Sequence, residues 1–261
     1  METIRTGGVE IAYARSGTGP ALVLAHGAGD DHRVWEPQRE ALSDVCTVVA
    51  WDEPGSGRSS DIPPHFGLSD YAECLAALID AVGSPAIVGG ISWGGTVVIE
   101  LCRRHPASAA ALVLADTYAG WKGSLPPGTL AARVGAAREQ LDAPPDGRPL
   151  LEGLFAGAPS PQHAALLRLL AAAARPSTLR AQLDAMATAD LRDTLPRIAV
   201  PTLLVWGDRD ARSPLAVARS FERAIADATL VVLERCGHLS NLERPEAFSD
   251  AVRAFLAGLA R

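Results

Sequence analysis

Cysteine is scarce in this chain: four in 261 residues, at 46, 74, 102 and 236, and no two share a Cys-x-x-Cys spacing. A disulfide framework, a zinc ribbon and a dithiol redox centre all need closer groupings, so the thiols read as buried and free. The six histidines include no His-Glu-x-x-His pair, and neither a metal nor a cofactor is expected. No apolar run is long enough to cross a bilayer. The opening Met1-Glu2-Thr3-Ile4-Arg5 lacks the apolar stretch of a secretory signal, which makes cytoplasmic residence the expectation. Positive charge is in deficit, with 24 Lys and Arg against 30 Asp and Glu, a net charge of −6 and no basic cluster. Neither nucleic acid nor a membrane is therefore expected as a partner.

What is present is a folding pattern. Hydrophobic residues make up 48% of the chain and charged ones 21%, the balance of a folded globular protein. After a short hairpin (4–6 and 9–14, turning at Gly7-Gly8), apolar strands at 21–25, 47–51, 86–88 and 111–115 alternate with helical patterns near 34–43, 69–82 and 94–105. Strands at 200–206 and 229–233 follow later. Strand and helix in alternation predict an α/β protein with a mostly parallel twisted sheet and helices on both faces. From about 118 to 195 the pattern lacks strands. Proline breaks at Pro126-Pro127, Pro144-Pro145-Asp146-Gly147 and Pro159-Ser160-Pro161 separate helical stretches near 128–141, 162–174 and 178–190.

Gly90-Ile91-Ser92-Trp93-Gly94 joins a strand to a helix, so Ser92 stands on a tight turn at a strand's end, where larger residues at 90 and 94 would crowd the bend. A serine hydroxyl needs an imidazole to take its proton and a carboxylate to orient that imidazole. Downstream, the strand at 200–206 runs into Gly207-Asp208-Arg209-Asp210, and the strand at 229–233 is followed by Cys236-Gly237-His238. Each group of the ordered set Ser92, Asp210, His238 follows a predicted strand. Asp116, after the strand at 111–115, is a rival for the acid, while Asp208 is assigned to stabilising its turn. Asp52 and Ser59 are assigned to organising their own loop, and Cys236 to filling a turn near the site.

These motifs resemble those of α/β-hydrolase-fold enzymes over nearly the whole chain. The resemblance rests on the elbow at 90–94, His26-Gly27, Asp52-Glu53-Pro54-Gly55-Ser56-Gly57-Arg58-Ser59, Gly207-Asp208-Arg209-Asp210 and Gly237-His238. It implies a core domain of residues 1–117 and 196–261, with a helical cap (lid) at 118–195 that shapes the substrate pocket and excludes water. It further implies backbone N–H donors to an oxyanion at Ala28 and Trp93. His26 is expected to support the oxyanion loop or to line the pocket, together with Tyr118, Trp121 and Phe155 in the same role.

The activity implied is hydrolysis of a small carboxylic ester or lactone through an acyl-enzyme. Several readings stay open beside it. Many relatives carry Arg-Gly where this chain has Pro54-Gly55, a departure shared by some carbon–carbon bond hydrolases. Cofactor-free haloperoxidases or perhydrolases and a ligand-binding receptor on a hydrolase scaffold are further alternatives. Trp93 beside the serine is similar to some prolyl aminopeptidases, but their His-Gly-Gly-Pro-Gly stretch is replaced by His26-Gly27-Ala28-Gly29-Asp30. A dinucleotide fingerprint starting at Gly27-Ala28-Gly29 fails because His32 stands where the third glycine belongs.

Overall fold

The computed structural model describes residues 1–143 and 153–259; the expected break at Pro144-Pro145-Asp146-Gly147 lies outside them. Eight strands form one sheet: β1 (Glu2–Thr6), β2 (Val9–Ser16), β3 (Ala21–Ala25), β4 (Thr47–Trp51), β5 (Ala86–Ile91), β6 (Ala109–Ala115), β7 (Thr202–Gly207) and β8 (Ala228–Leu233). Their order is β1-β2-β4-β3-β5-β6-β7-β8. The hairpin strands β1 and β2 pair antiparallel, as do β2 and β4, and every later pairing is parallel.

Helices cover both faces because the strands are apolar on both sides. Side chains alternate across a strand, so Val23, Val49 and Val88 face one way, with Leu112 and Leu204, while Leu22, Leu24, Val48, Ile87 and Val113 face the other. The first set packs against α2 (Leu68–Val82), α3 (Trp93–Arg104) and α8 (Leu215–Ala224), through residues such as Tyr71, Val97 and Phe221. The second packs against α1 (Glu36–Leu42), α9 (Ser240–Glu243) and α10 (Pro245–Leu259), through Leu42, Leu242, Phe248 and Val252. Near-continuous apolar strands are what a sheet buried on both faces requires.

Two sequence expectations are refined. The helical pattern at 34–43 is a 3-10 turn, His32–Trp35, that runs into α1 with Pro37 in its first turn. The strand expected from residue 200 begins at Thr202, since Pro201 has no N–H and offers only its carbonyl oxygen, to Leu112 N. Between β6 and β7 the described chain forms α4 (Trp121–Ser124), α5 (Pro127–Asp142), α6 (Pro161–Ala173) and α7 (Pro176–Thr188) and no strand.

The sheet order places β3 between β4 and β5, so the chain leaves β3 to one side and later returns to the other. In open parallel sheets such a switch point opens a crevice beyond the carboxyl ends of the strands. Ala28 follows β3 there and Ser92 follows β5.

Candidate active site

Ser92 holds a backbone conformation of φ 53° and ψ −120°, which a non-glycine residue adopts only where its surroundings enforce it. The enforcement is visible on both sides. A Cβ on Gly94 would lie 2.3 Å from the Ala25 carbonyl oxygen, and one on Gly90 would lie 2.5 Å from the Gly94 carbonyl carbon. The bend is thus wedged against β3. Ser92 N donates to Ala115 O at 3.0 Å, and Thr117 Oγ1 donates to Ser92 O at 2.5 Å, which anchors the bend to β6.

His238 Nε2 lies 2.9 Å from Ser92 Oγ, and its Nδ1 lies 2.8 Å from Asp210 Oδ2. His238 and Asp210 are buried, whereas Ser92 is partly exposed. The other oxygen of Asp210 accepts from Arg212 N and Ser213 N, both at 2.8 Å, so the turn after β7 fixes the carboxylate before it meets the imidazole. Asp208 Oδ1 accepts from Cys236 N at 3.0 Å, holding the turn after β7 against the loop that carries His238.

Trp93 opens α3, and the first N–H groups of a helix have no intrahelical acceptor. Its amide therefore points out of the helix end that Ser92 caps. Ala28 lies in the turn beyond β3, whose last residue, Ala25, pairs in register with Gly90 of β5.

The rival acid, Asp116, is fully buried in a left-handed conformation (φ 44°). It accepts from Gly207 N at 2.9 Å and from Ser240 Oγ. Burial, and then the neighbouring charge of Asp210, raise its carboxyl well above the usual carboxylate range.

His26 is sealed from solvent. Its Nδ1 meets Gly27 O at 2.8 Å and its Nε2 accepts from Glu53 N at 3.2 Å, leaving no ring nitrogen for a ligand. Burial lowers its pKa, consistent with a neutral ring. The pocket-lining expectation for His26 is thereby corrected: it braces the loops. Tyr118 stands beside His238, ring centroids 6.3 Å apart, and Trp121 lies edge-on to Tyr118 at 6.4 Å. Phe155 is half-buried and stacks on His163 at 5.6 Å. A Cβ on Gly237 would lie 2.5 Å from the Phe155 carbonyl carbon, so that segment presses on the residue before His238. Cys236 is buried, and burial raises its thiol pKa, so it stays a protonated filler of its turn.

Asp52 and Ser59 act in their loop as expected. Asp52 Oδ2 accepts from Arg58 N at 2.8 Å, and Ser59 Oγ accepts from Ala12 N at 2.8 Å. Asp31, His32 and Asp52 bring three ligand-type atoms within 4.8 Å of one another, but Arg33 donates to both oxygens of Asp31 and His32 Nδ1 meets Asp52 at 2.6 Å. Among the described residues, no helix is long and apolar enough to cross a membrane.

Four residues near the site escaped the sequence reading. Glu53 is fully buried and accepts from Trp93 Nε1 at 2.7 Å and from Gln182 Nε2 of α7. Arg133 of α5 lies 5.8 Å from the Tyr118 ring centroid and 5.3 Å from that of Trp121, and donates to Tyr118 Oη at 2.9 Å and Arg212 O at 3.0 Å. Asp30, in the turn after β3, has its carboxyl pushed up to about 7, by burial first and Asp31 second. Polar residues in loops and on the insertion look like solvated surface in a sequence. A glutamate directly after the Asp52 turn was the one available signal.

Residues 22–251 match the alpha/beta hydrolase family. A pimeloyl-[acyl-carrier protein] methyl ester esterase of Neisseria meningitidis serogroup B is 32% identical over 255 residues, covering 91% of this chain and 93% of that protein. A thermophilic esterase from Thermogutta terrifontis superposes with a TM-score of 0.87 at 30% identity, over 98% of this chain and 97% of its own. The enol-lactonase from Burkholderia xenovorans LB400 gives a TM-score of 0.84 at 27% identity, over 98% and 100%. With its strand order, its elbow and this match over most of its length, the chain belongs to the alpha/beta hydrolase family.

Proposed function

We propose that the protein hydrolyses a small carboxylic ester or lactone by two-step acyl transfer from Ser92. The observation that carries this is the continuous hydrogen-bonded path Ser92–His238–Asp210, with contacts of 2.9 and 2.8 Å, ending at a serine that solvent reaches. His238 takes the hydroxyl proton as Ser92 Oγ attacks the carbonyl carbon. Asp210 holds the proton-bearing Nδ1 and stabilises the imidazolium. The N–H groups of Trp93 and Ala28 receive the developing oxyanion. His238 then protonates the leaving alkoxide, and water repeats the sequence to release the acid and regenerate Ser92.

In this reading residues 118–195 act as a lid over a core of 1–117 and 196–261. Support comes from the contacts of α7 with core loops on the site's edge: Arg175 donates to Gly57 O and Ser59 O, and Thr178 Oγ1 to Gly55 O. Tyr118, beside His238, and Trp121, against Tyr118, stand at the start of the lid as candidate pocket walls, and the Phe155 backbone packs on Gly237. The esterase and enol-lactonase relatives favour an ester or a lactone. Steady-state assays with p-nitrophenyl esters of graded acyl length and with γ-butyrolactone-type substrates test the reading; turnover that survives Ser92→Ala overturns it.

A further inference from the structure

Glu53 joins three parts of the molecule. It follows β4, yet its carboxyl reaches Trp93 of α3 through one oxygen and Gln182 of α7 through the other. Trp93 is the residue after the nucleophile, and its indole is held from a second side by Tyr71, edge-on at 5.3 Å. Gln182 is equally buried, 129 residues away in sequence.

We propose that Glu53 is a positioning residue for ester hydrolysis, whose single carboxyl group sets the Trp93 indole, and through it the oxyanion N–H beside Ser92, while tethering lid helix α7 to the elbow. The inference rests on the proposed role of the Trp93 amide.

The charge state follows from the surroundings. The groups facing Glu53 are His26, Asp30, Ser56, Tyr71, Trp93 and Gln182, from five different stretches of chain. Among the described residues no cation pairs with it, and its neighbour His26 is held neutral by burial. Burial raises the Glu53 carboxyl well above the usual carboxylate range, against the hydrogen bonds from Trp93 and Gln182, and the Asp30 charge adds to the rise. A neutral acid suits the site. A carboxylate joined to the indole of Trp93 would oppose the charge that develops on the substrate, whereas the neutral acid still accepts from the indole N–H on one oxygen and from Gln182 Nε2 on the other.

The test compares Glu53→Gln, Glu53→Leu and Gln182→Leu. An alkyl fluorophosphonate probes the elbow independently of substrate identity: Ser92 Oγ bonds to phosphorus, fluoride leaves and the hydroxyl proton passes to His238. The neutral isostere Glu53→Gln is expected to react within about threefold of wild type at pH 7 and to keep its rate at alkaline pH, where wild type slows. Glu53→Leu is expected to react at least about tenfold more slowly, on the scale of a weakened oxyanion donor. Gln182→Leu, which cuts only the lid arm, is expected to raise KM for p-nitrophenyl esters about threefold or more while changing the phosphonylation rate less. Hydrogen exchange reads the tether without any chemistry, with the α7 and Trp93 amides opening at least about tenfold faster in Glu53→Leu.

Glu53→Leu with wild-type exchange and wild-type labelling overturns the proposal, as does Glu53→Gln labelling as slowly as Glu53→Leu. If Glu53→Leu does not fold, a Gln182→Leu protein with wild-type KM and wild-type α7 exchange overturns it. A wild-type protein that never reacts with the probe defeats the serine-hydrolase reading instead, and the exchange measurement still decides the tether.

Discussion

The Asp116 carboxyl accepts from Gly207 N and Ser240 Oγ and feels the neighbouring charge of Asp210, while Asp210 meets His238 Nδ1 at 2.8 Å. Two carboxyls side by side in a buried site do not both ionise, and the one whose carboxyl is pushed up is Asp116. Asp210, fixed by two backbone N–H donors, is the better partner for an imidazolium. Replacing Asp210 by Asn should lower kcat by about 10⁴, whereas Asp116→Asn should leave it within about threefold, as steady-state kinetics would show.

The same pair sets a pH dependence of stability. Folded Asp116 keeps its proton above the ordinary carboxylate pKa, so between that value and its raised one the folded chain binds more protons than the unfolded chain, and stability falls as pH rises. Asp116→Asn has no such titration. The stability of the variant relative to wild type should therefore grow with pH across that window, by up to about 1.4 kcal/mol per pH unit. Urea unfolding at a series of pH values measures it; parallel curves would contradict it.

Gly94 leaves no room for a methyl group, because the space is filled by backbone oxygens of Ala25 and His26 at 2.3 and 2.5 Å from a Cβ. Backbone of a central strand cannot yield as a flexible side chain would. Gly94→Ala should cost about 3 kcal/mol and distort the elbow, measurable as a lowered urea midpoint together with lost esterase activity.

Arg133 ties α5 to the segment after β6 through hydrogen bonds to Tyr118 Oη and Arg212 O and through its contacts with the Tyr118 and Trp121 rings. Arg133→Met keeps an unbranched apolar stem but has no guanidinium to make these contacts. It should lower stability by about 1–2 kcal/mol and raise KM for bulky esters more than for acetate esters, as an acyl-length series would reveal.

The sheet was legible because its strands are apolar on both faces and alternate with amphipathic helices, a signal carried by each segment alone. The order Ser92, Asp210, His238 was legible for a related reason, since each residue stands in the turn after a strand and parallel strands bring their carboxyl ends to one edge. The partners of Glu53 were not. Trp93 and Gln182 lie 40 and 129 residues from it, on a helix and on the insertion, and no local periodicity encodes contacts made by loops and by a helix laid across the sheet edge. The sequence left His26 open between bracing its loop and lining the pocket, and the contacts that decide, both ring nitrogens spent on backbone groups, are not encoded locally.

During turnover Ser92 is expected to carry an acyl group. Mixing the protein with a p-nitrophenyl ester, quenching in acid within the burst and measuring intact mass should show one acyl increment that maps to the peptide containing Ser92. The increment should vanish in Ser92→Ala, and His238→Ala should slow its formation by about 10⁴ or more. An acyl group on the Ser92→Ala protein, or brisk turnover with no covalent species at any time, would contradict the account.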